Sequence, residues 1–75
     1  MIIKKLVFGC CDHEGDLDAF VWEVVNSGGL VAAREWDAQR KIGAIEVVVE
    51  NEQAFSTFME AFKQTNSSTF LRDPK

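Results

Sequence analysis

The run Ile45-Glu46-Val47-Val48-Val49 constrains the fold more than any other feature of this 75-residue chain. β-Branched residues at this density favour a strand, and a run so poor in polar residues is typical of a strand in the middle of a sheet. The run therefore predicts a strand over residues 42–50. The remaining segments are expected to supply its neighbours and its cover, because a domain buries such a strand in a layered core.

Three further segments have the character of strands. Residues 30–36 and 69–72 are short and rich in apolar residues, and a polar hairpin loop, 37–41, separates the former from residues 42–50. Residues 2–10 are apolar apart from two lysines. Because side chains alternate across a strand, this first strand is expected to present its residues to two faces: Leu6, Phe8 and Cys10 on one, and Lys5, Val7 and Gly9 on the other.

Two segments have helical spacing. The first covers 16–27, with Asp16 or Asp12 as its cap and a stop at the Asn-Ser-Gly-Gly of 26–29. The second follows Asn51, a good capping residue. Both show apolar residues at helical spacing, which predicts one buried face for each helix. These residues are Leu17, Phe20, Val21 and Val24 in the first helix, and Phe55, Phe58, Met59 and Phe62 in the second.

The element order β-α-β-β-α-β predicts a single ferredoxin-like α+β domain over residues 1–75. Two helices would cover one face of a four-stranded antiparallel sheet, with the first and third strands central. The second face would be open, and an apolar patch there would mark an interface. The residues expected on the open face are Lys5, Val7, Ala44, Val48 and Trp36, of which Val7, Trp36 and Val48 are the interface candidates.

Composition excludes some classes of partner. The net charge of −4 argues against nucleic acid and against an anionic membrane surface. No apolar run approaches the roughly 20 residues of a transmembrane helix, and the start of the chain lacks the apolar length of a secretion signal, so a cytoplasmic protein is expected. A chain of this size has a thin core, which favours pairing with a second copy.

The stretch Phe8-Gly9-Cys10-Cys11-Asp12-His13-Glu14-Gly15-Asp16 admits four interpretations. A metal site, a redox pair and a Cys11–His13 catalytic pair are each conceivable. Adjacent strand residues point to opposite faces, however, and cytosolic thiols stay reduced. We therefore expect this stretch to have a structural role. In this interpretation Cys10 is a buried hydrophobe, Cys11 begins a turn, and the acidic residues cap the first helix. No metal, no cofactor and no enzymatic activity are predicted.

Residues 12–31 resemble the ACT domain, a regulatory domain with the ferredoxin-like fold. Asp12, Gly15 and Leu17 match the typical opening of the family, and Phe20, Val24 and Gly28 match the apolar residues and the glycine that follow it. Glu14 and Leu30 stand where the family usually has Pro and Asn. The resemblance implies a small molecule, commonly an amino acid, bound between two copies. The residues that it implies for ligand binding are Asp12, Gly15, Asp16 and Leu17.

These observations predict a non-enzymatic regulatory or binding module that binds a small molecule such as an amino acid at a homodimer interface. A first alternative is a protein-interaction adaptor that docks a larger partner on the open sheet face or on an edge strand. A second alternative is a metal-binding or thiol protein that uses Cys10, Cys11 and His13.

Overall fold

The computed structural model of the chain describes residues 1–72. Their order is β1 (Ile2–Phe8), α1 (Glu14–Asn26), β2 (Leu30–Asp37), β3 (Ile42–Val49), α2 (Glu52–Phe62) and a short 3-10 helix (Asn66–Phe70). The three strands form an antiparallel sheet in the order β1-β3-β2. The predicted central position of the β-branched run is confirmed, because β3 pairs with a strand on each side.

One face of the sheet carries both helices, which confirms the α+β class. Alternate β3 residues, Ile45, Val47 and Val49, point into the same core as Leu6 and Phe8 of β1. The helices supply the predicted apolar residues, and those buried most completely are Leu17, Phe20, Val24, Phe58 and Phe62. Stacked and edge-on aromatic pairs join the elements, with Phe8 contacting both Phe20 and Phe62.

The predicted four-stranded sheet is wrong, and so is the central position of the first strand. Residues 66–70 form a 3-10 helix, and the pairing that remains of the fourth strand is one bridge between Phe8 and Leu71. Side-chain hydroxyls explain the difference, since those of Thr65, Ser68 and Thr69 donate to carbonyls three to five residues back in the chain. Such local bonds favour turns over strands.

The start of α1 also differs from the prediction. The helix begins at Glu14, and His13 is its N-cap, so neither Asp12 nor Asp16 occupies that position. Asp16 acts from within the first turn, where its carboxylate accepts a hydrogen bond of 3.1 Å from the His13 backbone N–H. The second cap is confirmed: the Asn51 side chain accepts a 2.8 Å hydrogen bond from the Ala54 N–H. Within residues 1–72 no helix is long and apolar enough to cross a membrane.

Candidate functional site

Of the two adjacent cysteines, one is exposed to solvent and the other is buried in the core. Cys10 takes a left-handed backbone conformation with φ 58°, and its side chain is exposed. This turn ends the alternation of β1, and Cys11 points inward and is fully buried. The prediction that Cys10 is the buried cysteine is therefore wrong, and Cys11 takes that role. Both thiols are free.

Cys11 is held in place by contacts with the hairpin and with β2. Its N–H donates to the Lys41 carbonyl at 2.9 Å, and its own carbonyl accepts from the Trp36 indole N–H at 2.9 Å. Burial raises the pKa of the Cys11 thiol from its ordinary value of 9.0, and the nearby Asp16 carboxylate adds to the effect. At neutral pH this thiol is protonated, which disfavours both metal ligation and nucleophilic attack.

The residues that the family resemblance implied for ligand binding lie in different environments. Leu17 is fully buried in the core, and Asp16 is bonded to the start of α1. Gly15 is exposed, with no heavy atom within 4 Å of the position that a Cβ would take. Asp12 lines a cavity.

That cavity is a groove of about 460 Å³, which we call the end groove because it lies where β1 ends. Three stretches of chain form its walls: residues 9–12, the hairpin residues 40–42, and the C-terminal residues 69–72. Backbone hydrogen bonds hold the first and third walls together, from Gly9 N–H to the Phe70 carbonyl at 2.8 Å and from Arg72 N–H to the Val7 carbonyl at 2.7 Å. The Cys11–Lys41 bond joins the second wall to the first.

The end groove is locally positive although the chain as a whole is negative. In the described part of the chain, Arg40, Lys41 and Arg72 line it, against one carboxylate, Asp12. The Nζ atom of Lys41 lies 3.8 Å from an Asp12 oxygen, and Arg40 Nε lies 3.9 Å from Asp37. These pairs are long and exposed, and such pairs contribute only about 0–1 kcal/mol. The cationic groups therefore remain available to a ligand.

Two residues with an unusual backbone conformation also lie at the end groove. Cys10 and Lys41 are the two non-glycine residues with positive φ in the described part of the chain, and both line the end groove. Left-handed backbone is uncommon for residues that carry a Cβ, and strain of this kind recurs at functional sites. Asp37 supports the hairpin side, because one of its carboxylate oxygens accepts from the backbone N–H groups of Gln39 and Arg40.

The cationic side chains of this groove are not among the site residues predicted from the sequence. Arg40 and Lys41 fall in the predicted polar hairpin loop, and Arg72 falls at the end of the predicted fourth strand. Their separation in sequence concealed the cluster, because the fold brings residue 72 beside residues 40 and 41. The hairpin pair of adjacent cations was the one signal present in the sequence.

The open face of the sheet contains two of the three predicted interface residues. Val7 and Val48 are half-buried there, in register with Ala44 and with Ile3 respectively. Trp36 lies on the helix-covered face instead, packed against the core. A bulge in β2 between Val31 and Ala33 explains the error, since one extra residue reverses the face of every side chain that follows it.

An apolar row crosses one end of the open face. Ile3, Val48 and Leu30 are directly paired across the three strands. Ile3 is 61% exposed and Leu30 is 67% exposed. Polar residues occupy the middle of the face, where Lys5 pairs with Glu46 beside a depression of about 180 Å³. The open face thus combines an apolar end with a charged centre.

Metal-binding geometry is not found among residues 1–72, which contain no cluster of three His, Cys, Asp or Glu side chains that could hold an ion. The opposite orientations of Cys10 and Cys11 account for this in the cysteine loop. Comparison with known proteins adds no relative: no family model, no curated protein and no solved structure matches the chain.

Proposed function

We propose that this chain is a non-enzymatic binding module that takes a small molecule such as an amino acid in the end groove and works as a homodimer. The observation that carries the proposal is the end groove itself, a cavity of about 460 Å³ with charges of both signs on its walls. An amino acid offers a carboxylate to Arg40, Lys41 or Arg72 and an ammonium group to Asp12.

Two further observations support a binding role over catalysis. Backbone hydrogen bonds join the first wall of the groove to each of the other two, so a ligand meets a largely formed site and loses little affinity to ordering the protein. The Cys11 thiol, which a Cys–His mechanism would need, is buried and has a raised pKa. Cys10, the exposed cysteine, lines the groove.

A thermal-shift screen against amino acids tests the proposal. A ligand at 100 times its Kd adds about 2.7 kcal/mol, which in a domain of this size raises Tm by roughly ten degrees or more. Asp12→Asn should reduce the shift, because it removes the partner of the ammonium group. Glu60→Gln, an exposed carboxylate change on α2, is the matched control and should leave the shift intact. No shift with any amino acid would refute this ligand class.

The apolar row favours a second candidate function, a protein-interaction adaptor that docks a larger partner on the open face. Apolar residues exposed together and rimmed by polar ones are typical of protein contacts. The same surface serves the homodimer in the first proposal, and substitutions in the row separate these surface roles from ligand binding in the groove.

A further inference from the structure

We propose that the end groove is an anion site, whose ligand is a small molecule carrying a carboxylate or phosphate group held between the hairpin and the C-terminal segment. The inference rests on the proposed function only in using the same groove. It names the feature of the ligand that the walls select, which is negative charge.

The walls of the end groove gather positive charge. Three cationic side chains converge on one cavity in a chain whose net charge is −4. Like charges gathered in this way repel one another, and a bound anion relieves the repulsion while gaining charge-assisted hydrogen bonds. Arginine is suited to the task, because its planar guanidinium group matches a carboxylate or a phosphate with two parallel bonds.

The cations of the end groove lie on separate segments of the chain. Arg40 and Lys41 belong to the hairpin loop, and Arg72 follows the 3-10 helix. Arg72 is positioned by its backbone hydrogen bond to Val7. Its side chain passes over Gly9, where the Arg72 Cδ lies 3.5 Å from the position that a Cβ would take. A ligand in the groove therefore meets positive charge on two of its three walls.

Asp12 is the one carboxylate that residues 1–72 contribute to the walls, and its negative charge disfavours a bound anion. Its pairing with Lys41 at 3.8 Å offsets part of that effect. Among residues 1–72 the balance on the walls remains positive, with three cations against one acid. A ligand with anionic groups alone should consequently bind more tightly than a zwitterion of similar size.

Titration calorimetry of the full chain tests the inference with inorganic phosphate, succinate and glycine as probes. Phosphate or succinate should bind more tightly than glycine, and added salt should weaken that binding. The stronger of the two anions identifies the group that the site prefers. Arg40→Gln and Arg72→Gln should each weaken the affinity for the anion about tenfold or more. Lys63→Gln, which removes an exposed cation outside the groove, should have no effect.

Alkylation of Cys10 shows where the anion binds. Cys10 lines the groove and is exposed, whereas Cys11 is buried, so neutral iodoacetamide should modify Cys10 alone in the folded protein. Bound phosphate or succinate should slow this modification in the parent protein and in Lys63→Gln, and should do so much less in Arg72→Gln. Unchanged alkylation at saturating anion would place the anion elsewhere and would overturn the inference.

The outcomes separate this inference from the proposed function. Glycine or another zwitterion binding at least as well as both anions would overturn the anion site and would leave an amino-acid module in place. Anion binding without any response to amino acids would support the anion site and refute the amino-acid ligand. Affinity for anions that survives in both arginine variants would also overturn the site.

Discussion

The backbone conformation of Cys10 decides which of two adjacent thiols is chemically accessible. Strand alternation predicted Cys10 inside, and one left-handed residue reversed the order. A sequence pattern carries no warning of such a residue when it is not glycine, because the conformation is stabilised by distant contacts. Here those contacts include the bond from Cys11 N–H to the Lys41 carbonyl. The sequence therefore predicted that one cysteine would be buried, but it did not predict which of the two.

Burial of Cys11 makes stability depend on alkaline pH. Its folded pKa is raised, so the thiol stays protonated in the folded state after the unfolded chain has begun to ionise near pH 9.0. Its contribution is complete below that pH and is lost as pH rises toward the folded value. Urea unfolding from pH 8 to about pH 10 should show a falling free energy, with a shallower fall in Cys11→Ala.

The matched control for this prediction is Cys10→Ala, which removes the exposed thiol and should change the slope much less than Cys11→Ala does, because burial is the largest cause of the raised pKa of Cys11 and Cys10 adds only a smaller one. An equal slope in Cys11→Ala and in the parent would show that other groups cause the alkaline loss. The comparison concerns slopes alone, because Cys11→Ala also leaves a small cavity that lowers stability at every pH.

At the scale of elements, the sequence predicted the first five elements in the right order, and it failed at the sixth. Long segments with strong periodicity, such as α2 and β3, carry their own evidence. Residues 66–72 are short, and their serine and threonine hydroxyls bond to nearby carbonyls in place of a strand partner. The bulge in β2 was equally invisible, since no proline or glycine marks Ala32.

The close approach of α1 to β3 depends on Gly43. A Cβ at this position would lie 2.6 Å from Leu17 Cδ1 and 3.1 Å from Cys11 Sγ. Both neighbours are fully buried, so neither can move without disturbing the core. Gly43→Ala should therefore lower the free energy of unfolding by roughly 1–3 kcal/mol, measured by urea denaturation.

Gly15→Ala is the control for that substitution. It lies in the first turn of α1, where a Cβ would have open space around it. The exchange should leave stability unchanged or raise it by up to about 1 kcal/mol, because alanine favours helix more than glycine does. Equal stabilities for Gly43→Ala and the parent protein would contradict the tight packing between α1 and β3.

At the scale of the whole molecule, the fold separates two surfaces with different chemistry. The end groove carries cationic side chains, and the open face ends in the apolar row of Ile3, Val48 and Leu30. The alternation of β1 and β3 made Val7 and Val48 predictable members of the open face. The groove was not predictable in this way, because its walls come from three segments that meet only in the folded chain.

We predict that two copies of the chain pair through the apolar row. Leu30→Lys places a charge at the end of the row on an edge strand, which disfavours association of sheets. Sedimentation equilibrium should report a homodimer for the parent protein and the chain mass of 8.4 kDa for Leu30→Lys. Trp22→Lys is the control, because Trp22 is as exposed as Leu30 but lies on α1. Loss of the dimer in Trp22→Lys alone would move the interface to the helices, and a parent protein of 8.4 kDa would leave the row to a larger partner.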